Sequence, residues 1–170
     1  MLNSNNETNQ LNSTINEIKK SSNSKTYETK FTFDLNNIKD FLKEIDAVFY
    51  SDEFMLADIP WFVEVHSSPN SKSSRRDYKY LTIGLSRAES KNEIGWYCSA
   101  DFTIRIINHV DDDDNKVEEF QDQIFKAGKW LRGFYENKFI CYRDLDNGFI
   151  LDDKITISID LKLEKQELLL

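Results

Sequence analysis

Apolar residues recur at every second position in five separate stretches of this chain, and that alternation decides what it can fold into. Tyr27, Thr29, Phe31, Phe33 and Leu35 form the first set, with Glu28, Lys30, Thr32 and Asp34 between them. Trp61, Val63 and Val65 alternate with Phe62, Glu64 and His66, and Leu81, Ile83 and Leu85 do so around Thr82 and Gly84. The longest run is Trp96, Cys98, Ala100, Phe102, Ile104 and Ile106, and Ile155, Ile157, Ile159, Leu161 and Leu163 complete the pattern. Successive side chains of an extended strand point to opposite faces, so these are half-buried strands with one face on a core. Polar connectors over residues 67–77, 89–93 and 110–116 separate them. Short strands divided by turns predict an all-β antiparallel sandwich or barrel, not a parallel α/β sheet. Helix is confined to short pieces. Ile38, Phe41, Leu42 and Ile45 stand at helical spacing, enough for two turns over residues 37–45, and residues 139–145 allow one. Residues 118–131 read either as a helix or as a strand with a bulge.

Residues 1–26 hold seven Asn, five Ser and three Thr, and no aromatic residue. Such a segment cannot bury enough apolar area to offset its ordering entropy. The expectation is a disordered tail over 1–26, one domain over 27–165 and a C-terminal tail over 166–170. Leu11, Ile15 and Ile18 recur at helical spacing in the first tail. They fall short of the roughly three heptads that identify a coiled coil. A net charge of −8 argues against nucleic acid and against an anionic membrane surface, since both are bound through clustered Lys and Arg. No apolar run approaches the roughly 18 residues of a membrane-spanning helix, and the N-terminus lacks the apolar centre of a secretory signal. The expected location is cytoplasmic or nuclear. Cys98 and Cys141 are then reduced thiols, and the sequons at Asn6 and Asn12 are unused.

The search for chemistry returns little. Five scattered glycines form neither of the phosphate-binding loop patterns. A zinc site would need Cys98, Cys141, His66 and His109 together, and none of them are spaced as zinc ligands are. Cys98 lies in phase with Trp96, Ala100 and Phe102, where a free thiol behaves as a small core hydrophobe rather than a nucleophile. Asp111, Asp112, Asp113 and Asp114 suggest calcium, but an EF-hand loop starting at Asp111 would have Lys116 where Gly is needed and Asp122 where Glu is needed. An acidic, solvated hairpin loop fits better, and Asp152 and Asp153 read as turn residues before the last strand. Paired carboxylates for glycoside hydrolysis need a cleft that nothing marks. No catalytic residue, metal or cofactor is expected.

The landmarks, in order, resemble those of the MATH (TRAF-like) domain. KFTFDL (residues 30–35) is similar to the family's opening strand, and DIPWFVEV, with Trp61, to the stretch that follows. YLTIGL (80–85) and WYCSADFTIRIIN (96–108) resemble its next two strands. GFYENKFICYRDLDNGFILDDKITI (133–157) resembles its closing segment, the most specific of the five. The IPW form and the short polar loops resemble the divergent stand-alone MATH domains of nematodes. The resemblance covers about residues 27–165 and implies an antiparallel eight-stranded β-sandwich with one or two short helices. It also implies a non-catalytic module that binds short extended peptides of partner proteins, including targets of ubiquitin-related recruitment, with the effector on another chain. Physically, that is an extended segment added along a sheet edge, with pockets for alternate side chains. Weak single-site binding would gain avidity from homo-oligomer formation.

By position, the resemblance points to Phe102, Trp130, Gly133 and Phe134 as peptide-binding residues. Phe102 also shares phase with Ile104 and Ile106, so the pattern leaves groove and core both open for it. Two departures bear on the groove. Leu131 and Arg132 stand between Trp130 and Gly133, and Gly84 occupies a position where many members carry an aromatic residue. The alternatives are a lectin-like sandwich using Trp61, Trp96 and Tyr97, and an enzyme with a cleft converging on a cysteine and a histidine.

Overall fold

A computed structural model describes residues 25–67, 79–88, 96–126 and 133–167. Residues 1–24 and 168–170 of the expected tails, and Trp130, lie outside the described residues. Nine strands are described: β1 (Lys25–Asn36), β2 (Val48–Tyr50), β3 (Phe54–Leu56), β4 (Ile59–His66), β5 (Tyr80–Arg87), β6 (Trp96–Ile106), β7 (Lys116–Lys126), β8 (Gly133–Cys141) and β9 (Lys154–Glu167). Every pairing is antiparallel. They form two sheets, β1-β9-β6-β7 and β2-β4-β5-β8, with β3 also paired to β4. β2 and β3 lie along the same edge of β4 and act as two halves of one interrupted strand. Nine strands thus occupy eight positions in two layers, the eight-stranded sandwich that the resemblance implies. At the interruption, the Ser51 amide donates to the Val63 carbonyl (3.0 Å), and the Val63 amide donates to the Ser51 hydroxyl (2.9 Å). A side-chain oxygen there stands in for the missing ladder carbonyl.

The inner faces carry the alternating residues. Trp61, Val63, Val65, Leu81, Ile83, Leu85, Ile104, Ile106, Ile155, Ile157 and Ile159 are fully buried, and Cys98 lies among them. Aromatic pairs join the layers: Phe31 stacks on Phe54 at 4.5 Å, Phe33 on Phe49 at 5.8 Å, and Trp61 meets Phe125 edge-on at 4.8 Å. Sheet-on-sheet packing of this kind is what period-two patterning requires on both partners.

The helical readings are shortened. Of residues 37–45, Ile38–Phe41 forms an α-helix, α1, and Ile45 is exposed instead of completing a second turn. Asn37 sits in the left-handed region and offers no side-chain cap. The α1 amides of Ile38 and Lys39 instead reach the carbonyl and carboxylate of Asp153, both at 3.0 Å. The chain is held by that remote turn, not by helix propensity. Residues 139–145 divide into the end of β8 and a 3-10 turn at Tyr142–Asp144.

Of the two readings of residues 118–131, the described part is strand. β7 shifts register between the partners of Ala100 and Phe102. Asp122 has φ 54° there, and its amide is taken up by the Asp101 carboxylate at 2.8 Å. The extra residue puts Phe120 and Phe125, five apart, on the same inner face.

Candidate functional site

The outer face of the five-stranded sheet departs from the polar rule for a solvated sheet face. Its residues are the ones that alternate with the core set: Val48 and Tyr50 on β2, Met55 on β3, Pro60, Phe62, Glu64 and His66 on β4, Thr82, Gly84 and Ser86 on β5, and Gly133 and Tyr135 on β8. Cross-strand register aligns Tyr50, Glu64, Gly84 and Tyr135 in one row. Phe62, Ser86 and Gly133 form the next. Tyr50 is 59 % and Met55 63 % exposed. Tyr50 meets Phe62 edge-on at 5.9 Å, and Met55 pairs with Pro60 across the hairpin. The outcome is an aromatic and apolar patch at the β2–β3 edge, with the buried Glu64, Gly84 and Ser86 between it and Tyr135 on β8.

Gly84 makes its centre. A Cβ there would stand 2.2 Å from Tyr135 Cδ1, so the bare backbone is the bed on which the Tyr135 ring lies. The phenol continues into a polar chain. Tyr135 and Ser86 hydroxyls are 3.0 Å apart, and the Tyr135 hydroxyl also hydrogen-bonds Glu64. His66 Nε2 lies 3.0 Å from Glu64 Oε2, and its ring meets Tyr135 edge-on at 5.9 Å. Burial, reinforced by donation to Glu64, pushes the Tyr135 phenol up to about 12, with the Ser86 contact opposing. The phenol is therefore neutral and a donor at ordinary pH. The arrangement has hydrogen-bonding capacity set within an aromatic surface.

The structure places the four residues named from sequence at different depths. Gly133 lies on the outer face beside Ser86, where a Cβ would come within 2.1 Å of Ser86 Oγ. Phe134 points inward and meets Phe125 edge-on at 4.9 Å. Phe102 is 2 % exposed and stacks on Phe120 at 4.5 Å, in the other sheet. Trp130 lies outside the described residues. Tyr50, Phe62 and Tyr135 were not singled out by sequence reasoning. A signal existed: Phe62 occupies a polar-phase position beside Glu64 and His66, and an aromatic residue there has no core reason to be present.

Some residues of the alternative readings lie in the core. Trp61 is fully buried, so it cannot stack on a sugar. Cys98 and Cys141 are buried. Among the described residues, no group of three or more His, Cys, Asp and Glu could hold a metal ion, and no helix is long and apolar enough to cross a membrane. The acidic residues 111–114 form an exposed turn, and Asp152 and Asp153 are turn residues with φ of 52° and 57°.

A family model described as the MATH domain matches residues 30–161. Comparison with curated proteins gave no match. MATH domains are in general protein-interaction modules. With the match spanning most of the chain and the two antiparallel layers that such a domain requires, the chain belongs to the MATH domain family.

Proposed function

We propose that this chain is a non-catalytic interaction module that takes short extended segments of partner proteins across the outer face of its five-stranded sheet. The observation that carries the reading is the exposed Tyr50 and Met55 beside the half-buried Phe62, with Tyr135 laid over Gly84. Singly scattered apolar residues are ordinary on a protein surface, whereas a contiguous set marks a place where something binds. β8 ends its sheet, so a guest strand beside it would find backbone partners, and Gly133 and Tyr135 would face its side chains. Phe134 supports that strand from the core side, and Phe102 fixes the facing sheet. Recruitment of ubiquitination targets is one use of such a surface. Self-association would supply the avidity that a shallow site lacks.

The test is an array of short peptides probed with the full chain and with Tyr50→Ala and Tyr135→Ala variants whose thermal melts remain cooperative. Truncating an aromatic anchor typically costs about 2 kcal/mol, or roughly 30-fold in affinity. Loss of that order in both variants supports the surface. Unchanged binding would move the site elsewhere on the molecule, and saturable glycan binding without peptide binding would favour the lectin reading.

A further inference from the structure

Glu64 sits at the centre of this surface as an acid in aromatic surroundings. Tyr50 is directly across one strand boundary, and Phe62 and His66 precede and follow it on the same face. Beyond Gly84, the Tyr135 ring covers the other side. The residue is only 8 % exposed, whereas Tyr50, its cover toward the sheet edge, is largely free of the protein. Its partners are the His66 ring nitrogen at 3.0 Å and the Tyr135 hydroxyl. No Lys or Arg among the described residues is ion-paired with it.

A carboxylate offers about four acceptor sites, so two donors leave capacity unused. Among the described residues His66 is the one basic side chain beside it, and a buried carboxylate gains from a permanently charged partner. An ammonium or guanidinium placed there would meet the carboxylate and at least one aromatic face together, the combination that favours cation binding. The chain's net charge of −8 draws basic segments toward it.

We infer that the surface selects an extended peptide carrying a Lys or Arg, whose head group is seated on Glu64 between Tyr50 and Tyr135. The inference rests on the peptide-binding reading above and adds the chemistry of the partner. Tyr50 closes over the aliphatic stem of the basic side chain. The head group takes the acceptor positions that His66 and Tyr135 leave open. An acidic residue at the same peptide position is excluded by repulsion from Glu64.

The experiment is a positional scan on the full chain, using short peptides in which each position is changed in turn to Lys, Arg, norleucine or Glu. The expected result is one position at which Lys or Arg binds roughly tenfold better than norleucine, and Glu is not tolerated. In Glu64→Gln that preference collapses, so that Lys, Arg and norleucine at that position bind alike. The selectivity of the unaltered chain is read without any variant, so a folding defect in Glu64→Gln cannot mask the answer. Peptide binding with no basic preference overturns the inference and leaves the interaction surface standing. So does a basic preference that survives Glu64→Gln, which would come from net charge alone. Absence of binding by every peptide overturns the underlying reading, and the inference with it.

Discussion

Gly84 and Tyr135 show how much one missing side chain can decide. A methyl at Gly84 would also lie 2.6 Å from the Phe134 carbonyl, which is backbone and cannot swing aside. Gly84→Ala should therefore lift the Tyr135 ring and cost about 1–3 kcal/mol by overpacking, measured by denaturant unfolding. The phenol itself gives a second test. Its folded value of about 12 stands above the ordinary tyrosine value of 10.0. The associated stability is full below pH 10 and is lost as pH rises through 12. Spectrophotometric alkaline titration should show a late-titrating phenol that Tyr135→Phe removes. Phe102 is the residue on which alternation was ambiguous. Buried and stacked on Phe120, it should cost about 3–5 kcal/mol when truncated to Ala. A loss below about 0.5 kcal/mol, the range of ordinary surface changes, would return it to the surface.

At the scale of elements, the β3–β4 hairpin is closed by Ala57 and Asp58, with φ of 56° and 60°, between the paired residues Leu56 and Ile59. Two successive left-handed residues make the turn that matches strand twist. Alanine is a poor choice for it, since its Cβ costs roughly 1–2 kcal/mol in that region. Ala57 is also buried, and removing its methyl gives up about 0.8 kcal/mol. The conformational gain is the larger of the two. Ala57→Gly should raise stability by several tenths of a kcal/mol, visible as a higher denaturation midpoint; a fall would show that the methyl's packing dominates. The shortened α1 and the bulged β7 carry a related lesson. In both, apolar spacing fits a helix, yet Ile45 and Ile124 end up exposed. Register against neighbouring strands overrode a local period.

For the whole molecule, the bond between β1 and β9 ties residues more than a hundred positions apart. Asp34 accepts from Lys154 Nζ at 2.7 Å and from the Thr156 hydroxyl at 2.6 Å. The Lys154 contact, then Thr156, hold its carboxyl below the usual value of 3.8. A lowered folded value stabilises the protein above 3.8 and is lost as pH falls through the lowered value. Asp34 is about a third exposed, so water screens much of the gain. Acid unfolding of Asp34→Asn, compared with the unaltered chain, should show a smaller loss of stability on descending below pH 3.8. An unchanged acid limb would assign that loss to other carboxylates.

Alternation by itself determined β1, β4, β5, β6 and β9, their inward phase and hence the all-β class, because which side of a strand meets the core is a local property of period two. It reached Trp61, Ile83 and Ile157 correctly. The ordered landmarks carried the family. Tertiary structure alone decided which polar-phase residues gather into a surface. Tyr50, Phe62, Gly84 and Tyr135 come from four strands and meet only through cross-strand register. Pairing of distant strands is chosen by the burial of their inner faces. The outer-face constellation is a consequence of that choice, so no single segment encodes it.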